Sequence, residues 1–167
     1  WSRLNSSGIF VRCHTGVSGL FGFPNSREQR MMAATLALDG RGIASHRSAA
    51  ELWGVWTPSE DDPVDIIVGQ RVSGRTLSGV VTHRPRDHSD LTPIRKKGIR
   101  STTASRTLLD LGAVVPSAIP SVTERLLISG HVTREHLQRA LVRHSQRGRD
   151  GVGPLREVLA SWPYSDR

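Results

Sequence analysis

Two stretches decide how this chain folds: Ala44-Ser45-His46-Arg47-Ser48-Ala49-Ala50-Glu51-Leu52-Trp53-Gly54 and Thr102-Thr103-Ala104-Ser105-Arg106-Thr107-Leu108-Leu109-Asp110-Leu111. Each reads as a polar cap followed by a short apolar helix. In the first, Ser45 takes the N-cap place, Ala49, Leu52 and Trp53 dock in a core, and Gly54 marks the stop. In the second, Thr102 or Thr103 caps a helix that is expected to end near Gly112.

Outward from these segments, Gly8 to Val11 is a short strand signal, and Gly16, Gly19, Gly22 and Pro24 punctuate the stretch after it. Ser26 and Gln29 have capping-box spacing, so a helix runs from Asn25 or Ser26 to Gly40, with Met31, Met32, Leu36 and Leu38 as its core face. Thr57 to Pro63 is a loop. Asp65 to Val68 and Gly79 to Arg84 are strands, the second ended by Pro85, which cannot donate to a ladder. Ile94 to Arg100 is a third element or a tight hairpin turning at Lys97-Gly98. The remainder is helical. Pro116 and Pro120 flank the start of a helix ending at Gly130, and Thr133 caps the next, with Leu137, Ala140 and Leu141 buried. Gly148, Gly151 and Gly153 form a joint before a last helix bearing Leu155, Val158, Leu159 and Trp162.

The order predicts an α+β fold with a small mixed or antiparallel sheet and segregated helices, the C-terminal part being helical. Three regions are expected: extended residues 1–24, an α+β body over 25–112 and a basic helical part over 113–167.

The chain has 167 residues, 37% of them hydrophobic, which suffices for a core. No run reaches the apolar length of a membrane span and no signal-peptide pattern is present, so a cytoplasmic address with no membrane partner is expected. Cys13 is the only cysteine, which excludes an intrachain disulfide and a thiol-rich metal site. The formal net charge is +8, and 21 of the 23 basic residues are arginine, whose planar fork suits phosphate oxygens. The charge is uneven: residues 93–167 hold 13 basic and 6 acidic side chains. The chain starts at Trp1, so a fragment of a longer protein is expected.

Chemistry-bearing constellations are few. The seven histidines lack paired-cluster spacing for zinc, no Gly-x-Ser-x-Gly or phosphate-cradling loop occurs, and neither metal nor cofactor is expected. A restriction-type endonuclease needs an Asp and a Glu-x-Lys near each other. The only lysines, Lys96 and Lys97, follow no Glu at that spacing, so this chain is not expected to cut DNA. His46, Arg47 and Ser48 open a helix. Capping by Ser45 is the preferred account, and an anion site at the helix N-terminus is the alternative, since Arg47 opposes the helix dipole unless it holds an anion. Arg106 and Asp110, spaced i, i+4, read as an intrahelical ion pair worth about 0.3–0.5 kcal/mol.

Two basic patches are candidate phosphate contacts. Arg139, Arg143 and Arg147 recur every four residues along one helix face, with Arg134 and Arg149 nearby, and no acidic residue lies between 136 and 149. A solvated face and a phosphate-contacting surface both fit this pattern. The second patch is the turn with Arg95, Lys96, Lys97 and Arg100.

The two opening segments, in this order and separation, resemble a family of bacterial proteins related to the AbiEi antitoxins of type IV toxin–antitoxin systems. The resemblance implies a winged-helix DNA-binding domain coupled to a small α/β domain, in many actinobacterial members followed by a very-short-patch-repair-like endonuclease domain. Trp1 to Leu4 through Gly8 to Val11 resembles the closing wing, Gly98 to Thr102 the strand entering the second segment, and Thr133 to Leu159 the basic helical region. The implied role is autorepression of a toxin–antitoxin operon, with DNA and a nucleotidyltransferase-like toxin as partners. An accessory DNA-positioning domain of a nuclease and a protein-interaction domain are the alternatives.

Overall fold

The computed structural model describes residues 8–69, 76–145 and 149–162. The chain is α+β: among the described residues it forms a two-stranded sheet, a five-stranded mixed sheet and six α-helices, with the last four helices consecutive at the C-terminal end. The N-terminal hairpin pairs β1 (Phe10–His14) with β2 (Val17–Leu20) antiparallel, with an irregularity between Arg12 and His14. The strand signal at Gly8 to Val11 marks only the first of these strands. The Trp1 to Leu4 stretch lies outside the described residues.

Helix α1 (Arg27–Ala37) starts where its cap predicts, Ser26 Oγ accepting from the Gln29 amide at 3.2 Å. Its core face differs from expectation. Leu36 is exposed, and Ala33, Ala34 and Ala37 are buried beside Met31. Alanines let the helix lie close to the sheet, whereas Leu36 falls on the turn that faces solvent.

The five-stranded sheet has the order β5-β4-β3-β7-β6, from β3 (Ile43–Ala44), β4 (Val64–Ile67), β5 (Val80–His83), β6 (Ile94–Lys96) and β7 (Ile99–Ser101). β3 runs antiparallel to β4 and parallel to β7, where Ala44 faces Ser101. β4 and β5 are parallel, and β6 and β7 antiparallel. The β6–β7 turn carries positive φ at Lys97 (50°) and Gly98 (78°), the geometry a two-residue hairpin requires. Between β3 and β4 lies α2 (His46–Leu52).

Helix α3 (Ala104–Val114) is capped by Thr103 and ends two residues after Gly112, near the expected end, so Gly112 itself is not the stop. Gly112 instead marks a close approach. A Cβ on it would lie 2.6 Å from the Gly151 carbonyl, and one on Gly151 would lie 2.0 Å from the Leu109 carbonyl. Gly151 (φ 86°) heads α6 (Val152–Ser161) and brings that helix onto α3. Gly112→Ala is therefore expected to destabilise the protein by about 1–3 kcal/mol through overpacking, read as a lower urea midpoint with unchanged slope. A wild-type midpoint would mean that the two backbones are not in contact.

A 3₁₀ turn (Pro116–Ala118), α4 (Ile119–Ile128) and α5 (Arg134–His144) complete the helical layer. One apolar cluster lies between sheet and α1, around Met31, Leu38, Ile66 and Ile99; the other lies among the helices, around Leu108, Leu109, Leu126, Leu137 and Leu155. Helix α2 joins them, giving Leu52 to the first and Ala50 to the second. No helix among the described residues is long and apolar enough to cross a membrane.

Candidate functional site

Asp65 sits in the middle of β4, fully buried in an otherwise apolar strand. A carboxylate there needs partners, and two elements, α2 and β5, supply them. Arg47, from the first turn of α2, donates through Nε to Oδ2 (2.7 Å) and through Nη2 to Oδ1 (3.1 Å). His83, at the end of β5, places Nε2 2.8 Å from Oδ1, and Ser48 Oγ accepts from the Asp65 amide at 2.9 Å. Burial alone would raise the carboxyl; the hydrogen bonds from His83 and Arg47 outweigh it and hold Asp65 below the ordinary carboxylate value.

His46 lies over this network. Its ring stacks on His83 with centroids 3.6 Å apart and planes 20° from parallel, and its Nδ1 is 2.9 Å from Ser45 Oγ. Burial, reinforced by the neighbouring His83, pushes the imidazole down to about 3, so it is neutral at physiological pH. His46 also holds a positive φ of 47°, uncommon for a residue with a Cβ.

The second network is built on α3. Arg106 is 1% exposed, and its Nε donates to both Asp110 oxygens at 2.8 and 3.0 Å. Its Nη1 donates to the carbonyls of Asp87 (3.3 Å) and Ser89 (2.6 Å), stapling the loop after β5 onto the helix. Its Nη2 is buried with no hydrogen-bond partner among the described residues. Burial raises Asp110 to about 6, against the pull of Arg106. The pair is thus an interior one, not the exposed pair that spacing suggests. Asp87 meets His144 Nδ1 and Arg149 Nη1, while Asp90 meets His144 Nε2 and Arg143. Arg149 also reaches Asp110 at 3.6 Å.

The two networks face each other across an open cleft of about 520 Å³. Its walls are His46 and His83 on the sheet side, Arg84, Arg86 and Asp87 on the loop, Arg106 and Asp110 on α3, and Arg149 and Asp150 ahead of α6. A second groove, about 450 Å³, runs between α5 and the start of α3. His136, Arg139 and Arg143 line one side, and Thr103, Ser105, Asp90 and Thr92 the other.

The residues singled out in the sequence fall into three groups. Arg139 and Arg143 are exposed on α5 beside the second groove, Arg143 paired with Asp90. Arg134 reaches the Leu159 carbonyl (3.4 Å), and Arg147 lies outside the described residues. Around the β6–β7 turn, Arg95 donates to the Gly98 carbonyl, Lys96 sits 4.1 Å from the Trp53 ring centroid, and Lys97 pairs with Glu28. Arg100 is half-buried. Arg149 belongs to the cleft rather than to the exposed face of α5. His46, Arg47 and Ser48 do not form an open anion site: Arg47 already grips Asp65 and Asp62, and Ser48 caps the Asp65 amide. The anion that the dipole argument demands of Arg47 is internal. Nor does the Ser45 side chain cap α2; it turns to His46.

Sequence reasoning passes over Asp65, Asp87 and Asp90. It takes His83 for a strand-end histidine and His144 for part of the basic helix face, whereas His83 pairs with Asp65 and His144 is buried between Asp87 and Asp90. One signal for Asp65 is plain in retrospect: an acid inside the apolar run Val64 to Val68 must be buried and paired. Among the described residues no cluster of three His, Cys, Asp or Glu is placed to hold a metal ion. No protein-family model matches the chain, and no curated protein matches it.

Proposed function

We propose that this chain is a cytoplasmic, non-catalytic DNA-associated domain that grips backbone phosphates through α5. The supporting observation is the groove in which Arg139, Arg143 and His136 stand opposite the N-terminal turn of α3. Helix N-termini favour anions, and the arginine forks add charge-assisted donors in the same place. The net charge of +8 adds a long-range attraction to a polyanion. Asp90 partly offsets Arg143, so the groove holds phosphate through a balance that salt readily shifts. In the AbiEi-like setting that the two sequence motifs suggest, such contacts would support operon autorepression, with a winged helix reading the operator and a nucleotidyltransferase-like toxin as the protein partner.

Contacts of this kind position without specifying sequence. Fluorescence anisotropy is expected to show weak duplex binding that tolerates sequence and falls linearly on a log–log salt plot. Arg139→Glu with Arg143→Glu should lower affinity at least about tenfold and cut the salt slope by roughly two charges. The melting temperature should barely move, because both side chains are exposed. Absence of binding at low salt removes the reading.

A further inference from the structure

We propose that the cleft beneath the stacked His46 and His83 is a binding site for a phosphate monoester, separate from the α5 groove and independent of the DNA reading. Arg106 is the key residue. Three of its N–H directions are spent on Asp110 and on the loop carbonyls of Asp87 and Ser89, so the guanidinium is fixed in place. Its Nη2 is buried with no partner among the described residues, on a side chain that lines the cleft wall. An unpaired guanidinium nitrogen is costly in an interior and is the donor an incoming oxyanion satisfies.

The surroundings agree. The carboxylates lining the cleft are occupied where they are deepest: Asp110 by Arg106 and Arg149, and Asp87 by Arg149 and His144. Four guanidiniums face three carboxylates, leaving the cleft net positive. Arg86, exposed on the loop, makes no hydrogen bond or ion pair with the described residues and stands at the rim. Rigid, planar arginine forks select the tetrahedral oxygens of phosphate.

Access decides between ester types. Arg106 lies at the floor, walled by α3, the start of α2, the loop after β5 and the segment ahead of α6. Arg106 is 1% exposed, so a phosphodiester held on both sides in a duplex meets the rim before it meets this side chain. A phosphate that protrudes, on a nucleotide or at the end of a strand, can enter, and a space of about 520 Å³ accommodates a mononucleotide.

The test is calorimetric titration and thermal shift of the full chain with inorganic phosphate, 5′-dAMP and deoxyadenosine. Phosphate and 5′-dAMP are expected to bind and raise the melting temperature, and deoxyadenosine to do neither. Arg86→Ala should weaken 5′-dAMP by about tenfold, the loss of one charge-assisted contact, without changing the melting temperature of the free protein. It is the safe variant, since a change at Arg106 would also break a buried ion pair and two loop contacts. Comparing an oligonucleotide bearing a 5′-phosphate with its 5′-hydroxyl counterpart identifies the source: preference for the phosphorylated strand over 5′-dAMP marks a strand end, and the reverse marks a free nucleotide. No heat and no shift with either phosphate compound overturns the proposal. So does 5′-dAMP binding that survives Arg86→Ala and disappears in Arg139→Glu/Arg143→Glu, which would move the site to α5. Loss of duplex binding alone would touch only the DNA reading.

Discussion

Asp110→Ala is expected to lower stability by about 3–5 kcal/mol, the cost of leaving a buried cation without its counter-charge. Arg106 is 1% exposed and meets both Asp110 oxygens, so water cannot take over the lost contact. The removal would also strip Arg149 of one of its two carboxylates. A control separates lost attraction from lost packing. In Arg106→Met/Asp110→Leu both charges go together, and part of the stability should return, because apolar replacement of a whole buried pair is far less harmful than breaking it. Full recovery is not expected, since Arg106 also holds the carbonyls of Asp87 and Ser89. Urea unfolding of the three proteins measures this. A double variant less stable than Asp110→Ala would mean that the staple to the loop outweighs the ion pair.

The second large effect is on pH dependence. His46 titrates at about 3 in the fold against 6.5 for the free side chain. Above pH 6.5 both states are neutral and the group contributes no slope. Below it only the unfolded chain takes the proton, so stability is lost as the pH falls toward 3, at up to about 1.4 kcal/mol per pH unit. Asp110 acts in the opposite sense. Its carboxyl, raised to about 6, takes a proton in the folded state before the unfolded chain does at 3.8, so acid favours the fold across that window. His144 is shifted in the same direction as His46, chiefly by burial. His46→Asn removes the first contribution and keeps a residue that tolerates positive φ. The stability lost between pH 7 and pH 5 should then shrink by about 2 kcal/mol relative to the wild type. Equal losses in the two proteins would show that His46 is not held neutral.

What was legible in the sequence is what is local. Caps at Ser26, Thr103 and Thr133 and the Lys97-Gly98 turn each depend on a few adjacent residues, and each is found in place. Strand β3 is two residues long, too short for any alternation to register, yet it is the centre of the sheet. The i, i+4 spacing reveals that Arg106 and Asp110 meet. Their burial comes from a loop some twenty residues earlier folding over them, which spacing cannot encode. The run 136–149 contains no acid, but Asp87 and Asp90 reach His144 and Arg143 from more than fifty residues upstream. Charge counted along a helix therefore overstates the field its face presents.

The short β3 has a consequence for the order in which the molecule assembles. Its one pairing with β7 sets Ala44 against Ser101, and the Ala44 carbonyl waits for the Thr102 amide. Ser101 comes 57 positions after Ala44, so at about 5–20 residues per second the ribosome leaves that side of the sheet open for several seconds. An open strand edge recruits other chains. That edge closes only when Thr102 has emerged and its amide reaches the Ala44 carbonyl.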